Sequence, residues 1–136
     1  MDTTTSKHLL YIEDDPEMID LVALILARNN FQLTGALNGE DGLKKATDTQ
    51  PDLILLDIMM PGMDGWNVLR QLKASLLTKS IPVVILSAKT NSIDRFVALQ
   101  FGRADAYIAK PFHADTILEV VEGILNNTGS PDKRMA

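Results

Sequence analysis

Five short apolar runs, each followed by a stretch with helical spacing, constrain this chain more than any other feature. They fall at residues 8–12, 31–36, 53–57, 83–86 and 106–109. Apolar runs of this length bounded by turn formers read as buried strands. After the first, Asp15 has the character of an N-cap and Pro16 that of a first helical residue. Met18, Leu21, Val22 and Ile25 then recur at spacings of three and four, up to a stop at Asn29-Asn30. Further helices are expected at about 39–47, 66–75, 92–101 and 114–125. Val68, Leu69 and Leu72 should face inward on the third helix, and Ile117, Val121 and Ile124 on the last. A strand–helix unit repeated five times implies an α/β fold with a five-stranded parallel sheet. Right-handed crossovers return the chain to the same sheet edge, and the helices cover both faces of a doubly wound structure.

Binding sites in such sheets lie beyond the carboxyl ends of the strands, where strand order reverses. The residues expected there are Glu13, Asp14, Asp57, Ser87 and Lys110. Two strands that both finish in carboxylates point to one shared acidic pocket. Crowded carboxylates repel, and some hold protons near neutral pH unless a cation screens them. Mg²⁺ suits an all-oxygen site with few carboxylates and several retained waters. A GxxxxGK[ST] phosphate cradle does not occur, so a nucleotide is not the obvious ligand. A carboxylate can itself attack phosphorus and form an aspartyl-phosphate. A divalent cation, a lysine ammonium and a hydroxyl would then share the phosphoryl oxygens. Lys110 and Ser87 are the right residue types at the right strand ends.

Composition narrows the function further. The chain has 136 residues, enough for one domain with a real core, and its net charge of -5 argues against a large nucleic-acid footprint. It contains no cysteine, which removes disulfides, thiolate nucleophiles and cysteine-based zinc sites. His8 and His113 stand alone in sequence, and His113 reads as a surface residue. No apolar run approaches the roughly 20 residues of a membrane span. The polar N-terminus does not resemble a secretory signal, so the expected compartment is the cytoplasm and no membrane partner is expected. Residues 1–6 are expected to be flexible, 7–125 to form the domain, and 126–136 to be a flexible tail or the start of a linker.

The segments Ile12-Glu13-Asp14-Asp15, Leu56-Asp57-Ile58-Met59-Met60-Pro61-Gly62-Met63-Asp64-Gly65, Leu86-Ser87-Ala88 and Lys110-Pro111-Phe112 resemble the receiver domain of two-component response regulators. The resemblance brings with it the flavodoxin-like strand order 2-1-3-4-5. It implies that Asp57 accepts a phosphoryl group from a sensor histidine kinase or a histidine phosphotransfer protein, and that the domain slowly dephosphorylates itself. It implies Mg²⁺ held by Asp14, Asp57 and the backbone carbonyl of Met59, with Glu13 acting through water. Ser87 and Lys110 would contact the phosphoryl group, and Lys110-Pro111 would be a cis peptide. Ser87 and Tyr107 would form a switch that changes the surface of the fourth helix, fifth strand and fifth helix, and so controls a downstream target protein or output domain.

Each residue also has a plainer reading. Asp15 is better explained as a helix cap than as a ligand, and Asp64 as the cap of the following helix. Serine is common in turns, proline often opens a helix, and Tyr107 could be only a half-buried strand aromatic. Met59, Met60 and Met63 are expected to pack, with a backbone role for Met59. A receiver usually carries Gly-Ala-Asp-x-Tyr before its fifth strand. Here the chain reads Gly102-Arg103-Ala104-Asp105-Ala106-Tyr107, one residue longer, so the fourth helix or its exit is expected to be altered. Met59 and Lys89, two residues beyond Asp57 and Ser87, are expected to shield a phosphoryl group from water. The main alternative is a receiver-like interaction module that works without phosphorylation; the full acidic set with Ser87 and Lys110 argues against it. A piece of a larger regulator or hybrid kinase is compatible with the polar tail.

Overall fold

The computed structural model describes residues 6–60, 62–88 and 92–126. The expected N-terminal stretch and tail therefore fall, apart from Ser6 and Asn126, outside the described residues, as do Pro61 and Lys89. The elements run β1 (His8–Ile12), α1 (Pro16–Ala27), β2 (Gln32–Ala36), α2 (Gly39–Thr49), β3 (Leu53–Leu56), β4 (Met59–Met60), β5 (Met63–Asp64), α3 (Gly65–Ala74), β6 (Val83–Ser87), α4 (Ser92–Phe96), β7 (Ala106–Ala109) and α5 (Ala114–Asn126). Five strands form a parallel sheet in the order β2-β1-β3-β6-β7. Counting only these five, the order is 2-1-3-4-5, as expected.

Side-chain alternation along the strands builds two cores. Leu10, Ile12, Ile54, Leu56, Val83 and Ile85 face one way, onto Val68, Leu69 and Leu72 of α3. Leu9, Tyr11, Leu53, Leu55, Val84 and Leu86 face the other, onto Val22, Ile25 and Leu26 of α1 and Ile117 and Val121 of α5. Both faces are covered, which is why the strands read as unbroken apolar runs. At about 25 cal/mol per Å² of apolar surface removed from water, this burial is the main term holding the sheet between its helices. Leu21, one of the periodic apolar residues of α1, is 47% exposed, whereas Leu26 is buried.

The helices start where capping chemistry places them. Asp15 accepts from the Glu17 amide at 3.0 Å, Asn38 from Asp41 at 2.7 Å and Asp64 from Trp66 at 3.0 Å. Each satisfies an amide that the helix itself leaves unpaired.

Two features depart from a plain reading. The segment after Asp57 is a small antiparallel hairpin, β4 with β5, turning at Gly62 with φ +80°. The fourth helix is α-helical only over Ser92–Phe96. Val97–Phe101 continues it as a π-helix, closed by the Gly102 amide donating to the Val97 carbonyl at 2.9 Å. The wider π turn takes up the extra residue. The left-handed backbone conformation then falls on Arg103, at φ 61°, while Gly102 stays right-handed. A non-glycine residue in that region costs roughly 1–2 kcal/mol. Arg103 recovers part of this by donating to the Lys73 carbonyl at 3.1 Å. Arg103→Gly is therefore expected to stabilise the fold by about 0.5–1 kcal/mol, read as a higher urea midpoint with an unchanged slope. A lower midpoint would mean that the hydrogen bond outweighs the backbone strain.

Candidate functional site

Pairing of β1 with β3 sets Ile12 beside Leu56, so the two chains emerge from the sheet side by side. The ladder continues one step past the strands: the Asp57 amide donates to the Ile12 carbonyl at 3.0 Å, and the Glu13 amide to the Ala36 carbonyl at 2.9 Å. Backbone bonding thus fixes both carboxylates at the sheet edge, Asp57 one residue beyond the end of β3. Glu13 and Asp57 are buried and Asp14 is exposed. Carboxylate oxygens of the three lie within 4.8 Å of one another.

This crowding has an electrostatic signature. Partial desolvation raises the Asp14 carboxyl above its ordinary range, and a hydrogen bond with Glu13 raises it further. The site holds negative charge at a cost, which a cation would relieve. An all-oxygen donor set with one solvent-facing member fits a small hard divalent ion that keeps several waters.

Among the described residues, Lys110 brings a cation to this cluster. Its Nζ donates to Glu13 Oε1 at 2.7 Å and stands 3.5 Å from Asp57 Oδ2. Its side chain is 18% exposed, so the pair with Glu13 is largely shielded from solvent screening. The ammonium sits where it does because the Lys110 amide donates to the Ser87 carbonyl at 2.8 Å, joining the ends of β6 and β7. The Lys110-Pro111 peptide is cis, as the resemblance implied.

Asp57 Oδ1 accepts from the Met59 amide at 3.0 Å, which orients the carboxylate from the loop side. The Met59 side chain is 49% exposed, whereas Met60 is buried, so the expected packing role falls on Met60. Ser87 is fully buried, and Tyr107 lies inward at 6% exposure. Their hydroxyls share a hydrogen bond; burial raises the Tyr107 phenol and the bond from Ser87 partly offsets this. The structure therefore brings Glu13, Asp14, Asp57 and Lys110 into direct proximity, and links Ser87 and Tyr107 to each other on the adjoining strands. His113 is exposed and takes no part.

One site residue escaped the sequence reading. Tyr11, wholly buried, donates its hydroxyl to Glu13 Oε1 at 2.9 Å. Two signals could have found it. A tyrosine in an otherwise apolar strand needs a partner for its hydroxyl, and residues two apart share a sheet face.

A cleft of about 310 Å³ lies elsewhere, between α3 and the π-helical segment, lined among others by Trp66, Leu69 and Phe101. None of the acidic-site residues lines it, so cleft size is a poor guide to the chemistry here. The strand-end cluster, with buried carboxylates and a shared lysine, is the better functional candidate.

Comparison with known proteins agrees with this geometry. The family model described as the response regulator receiver domain matches residues 9–122. The sensory transduction protein RegX3 of Mycobacterium tuberculosis is 33% identical over 128 residues, covering 94% of this chain and 55% of that protein. The alkaline phosphatase synthesis transcriptional regulatory protein PhoP of Bacillus subtilis is 35% identical over 123 residues, covering 90% of this chain and 50% of that protein. The chain thus spans about half the length of these relatives. Among solved structures, a CheY-like receiver domain protein from Methanospirillum hungatei superposes with a TM-score of 0.82 at 25% identity, covering 90% of this chain and 95% of that one. The Vibrio cholerae chemotaxis protein CheY4 shares the fold, with a TM-score of 0.82 at 22% identity, covering 88% of this chain and 99% of that one. With a family match across nearly all the described residues and the acidic cluster at the strand ends that the fold reserves for ligands, the chain belongs to the response regulator receiver domains of two-component systems.

Proposed function

We propose that Asp57 is a phosphoacceptor, loaded from a phosphohistidine on a sensor kinase or phosphotransfer protein. The observation that carries this reading is the placement of Lys110 Nζ 3.5 Å from Asp57 Oδ2, beside Glu13 and Asp14 at the same sheet edge. In the reaction an Asp57 carboxylate oxygen attacks phosphorus, the P–N bond breaks, and the histidine nitrogen keeps the electron pair. Hydrolysis ends the loaded state: water attacks phosphorus, the P–O bond to Asp57 breaks, inorganic phosphate leaves, and the carboxylate is regenerated.

The chain's own groups supply positioning and charge. The Met59 amide orients the Asp57 carboxylate, and Lys110 stabilises charge on the transferring group. Glu13, Asp14, Asp57 and the Met59 carbonyl would hold Mg²⁺, with Glu13 acting through water. When bound, the ion neutralises phosphoryl oxygens in the way that magnesium does in phosphoryl transfer generally. Ser87 would donate to the phosphoryl group, giving up Tyr107. That exchange would carry the change to the surface of α4, β7 and α5, and so to a target protein or output domain. No helix among the described residues is long and apolar enough to cross a membrane. From the likeness to response regulators, we place the domain in the cytoplasm.

The test is intact-protein mass after incubation with Mg²⁺ and a small phosphodonor. The wild type should gain one phosphoryl group; Asp57→Asn and a chelated sample should gain none. Equal incorporation into Asp57→Asn would move the acceptor elsewhere. No gain from small or histidine phosphodonors, together with no binding of beryllofluoride, would favour the phosphorylation-independent interaction module.

A further inference from the structure

The hydroxyl of Tyr11 is buried in the sheet at the edge of the acidic site, and the proposed chemistry does not use it. It donates to Glu13 Oε1 at 2.9 Å, the same oxygen that accepts from Lys110 Nζ at 2.7 Å. Glu13 Oε2 accepts from the Asp15 amide at 3.2 Å. One cation, one hydroxyl and one amide thus stand around a carboxylate that is only 2% exposed.

This arrangement bears on how Lys110 reaches its work. Lys110 is closer to Glu13, at 2.7 Å, than to Asp57, at 3.5 Å. To stabilise a phosphoryl group on Asp57 it must loosen its bond to Glu13. A buried carboxylate that loses a charged donor pays a large desolvation penalty unless another donor remains. Tyr11 is the donor that remains on Oε1, the oxygen Lys110 would leave, while the Asp15 amide stays on Oε2. Its ring is fixed by packing within the core cluster of α1 and α5, so the hydroxyl stays aimed at Glu13 whatever Lys110 does.

We propose that Tyr11 is a positioning residue that holds and solvates Glu13, so that Lys110 can exchange Glu13 for the phosphoryl group on Asp57. The inference rests on the phosphoacceptor reading of Asp57. It assigns the exchange to three residues: Tyr11 on β1, Glu13 one residue beyond β1, and Lys110 just beyond β7.

The test is a double-mutant cycle of Tyr11→Phe and Glu13→Gln, with beryllofluoride affinity at saturating Mg²⁺ measured by calorimetry. Tyr11→Phe keeps the ring and removes only the hydroxyl, so the fold should persist. Affinity should fall by about tenfold in the Glu13 background, the scale of a lost hydrogen bond to a charged group. In the Glu13→Gln background the same change should have little effect, because Lys110 has no carboxylate to leave. A purely structural role for Tyr11 would lower affinity equally in both backgrounds, and that result, or an unchanged affinity for Tyr11→Phe, overturns the inference while leaving the phosphoacceptor reading intact. Failure of the wild type to bind beryllofluoride or accept a phosphoryl group would remove both.

Discussion

Lys110→Met should slow phosphoryl transfer to Asp57 by about 10²–10³-fold, the usual loss when one preorganised charge-stabilising donor is removed from a transition state. It should also make the fold depend on a divalent cation, and the reason is local. Glu13 and Asp57 are both buried, and among the described residues Lys110 is the cation in contact with them. Removing one partner of a buried pair leaves an uncompensated charge, at roughly 3–5 kcal/mol. Here the loss should be nearer about 2 kcal/mol, because Glu13 keeps the Tyr11 hydroxyl and the Asp15 amide. Mg²⁺ would restore a positive charge at the same place, and it would no longer compete with the ammonium. Urea unfolding of the variant should therefore show a clear loss of stability in chelator and most of it recovered in millimolar Mg²⁺. Equal stability of the variant with and without the ion would mean that the three carboxylates are not a cation site.

The same pocket shows what a sequence can and cannot carry. The strands were legible because both faces of the sheet are covered, which turns Leu9–Ile12 and Leu53–Leu56 into unbroken apolar runs. Asp15, Asn38 and Asp64 act through chain neighbours, and capping is a local signal. The choice of partner by Lys110 is different in kind. Glu13 and Lys110 are 97 residues apart, and whether the ammonium sits on Glu13 or on Asp57 depends on differences of less than an ångström in the packed sheet. The hairpin of β4 and β5 has strands of two residues, too short for any periodicity to show. One extra residue before Tyr107 indicated that the helix exit was altered, yet gave no way to tell a longer loop from the π turn at Val97–Phe101. Tyr11 was hidden for a subtler reason: its ring satisfies the strand pattern so well that the hydroxyl's need for a partner goes unnoticed.

Gly65→Ala should be the most damaging single-methyl change at this edge of the molecule. Gly65 opens α3 directly after the Asp64 cap, and its amide donates to the Ile58 carbonyl at 3.1 Å. A Cβ there would lie 2.4 Å from Ile58 Cα and 2.5 Å from Ile58 O. These are backbone atoms, so no rotamer change relieves the clash; either α3 or the segment after Asp57 must move. Overpacking of this kind costs up to about 3 kcal/mol, or a fall in melting temperature on the order of 10 °C for a chain this size. Because Ile58 follows Asp57 and Met59 holds the Asp57 carboxylate, the displacement should also reach the phosphoacceptor and lower phosphoryl incorporation even at temperatures where the variant is folded. Gly62→Ala provides the contrast. Its φ is +80°, but a Cβ there meets nothing within 4 Å. It should cost only the roughly 1–2 kcal/mol of left-handed backbone and leave Asp57 in place. Comparable losses of stability and phosphorylation in the two variants would show that the loop yields as a whole and that the close approach of α3 to Ile58 does not set the position of Asp57.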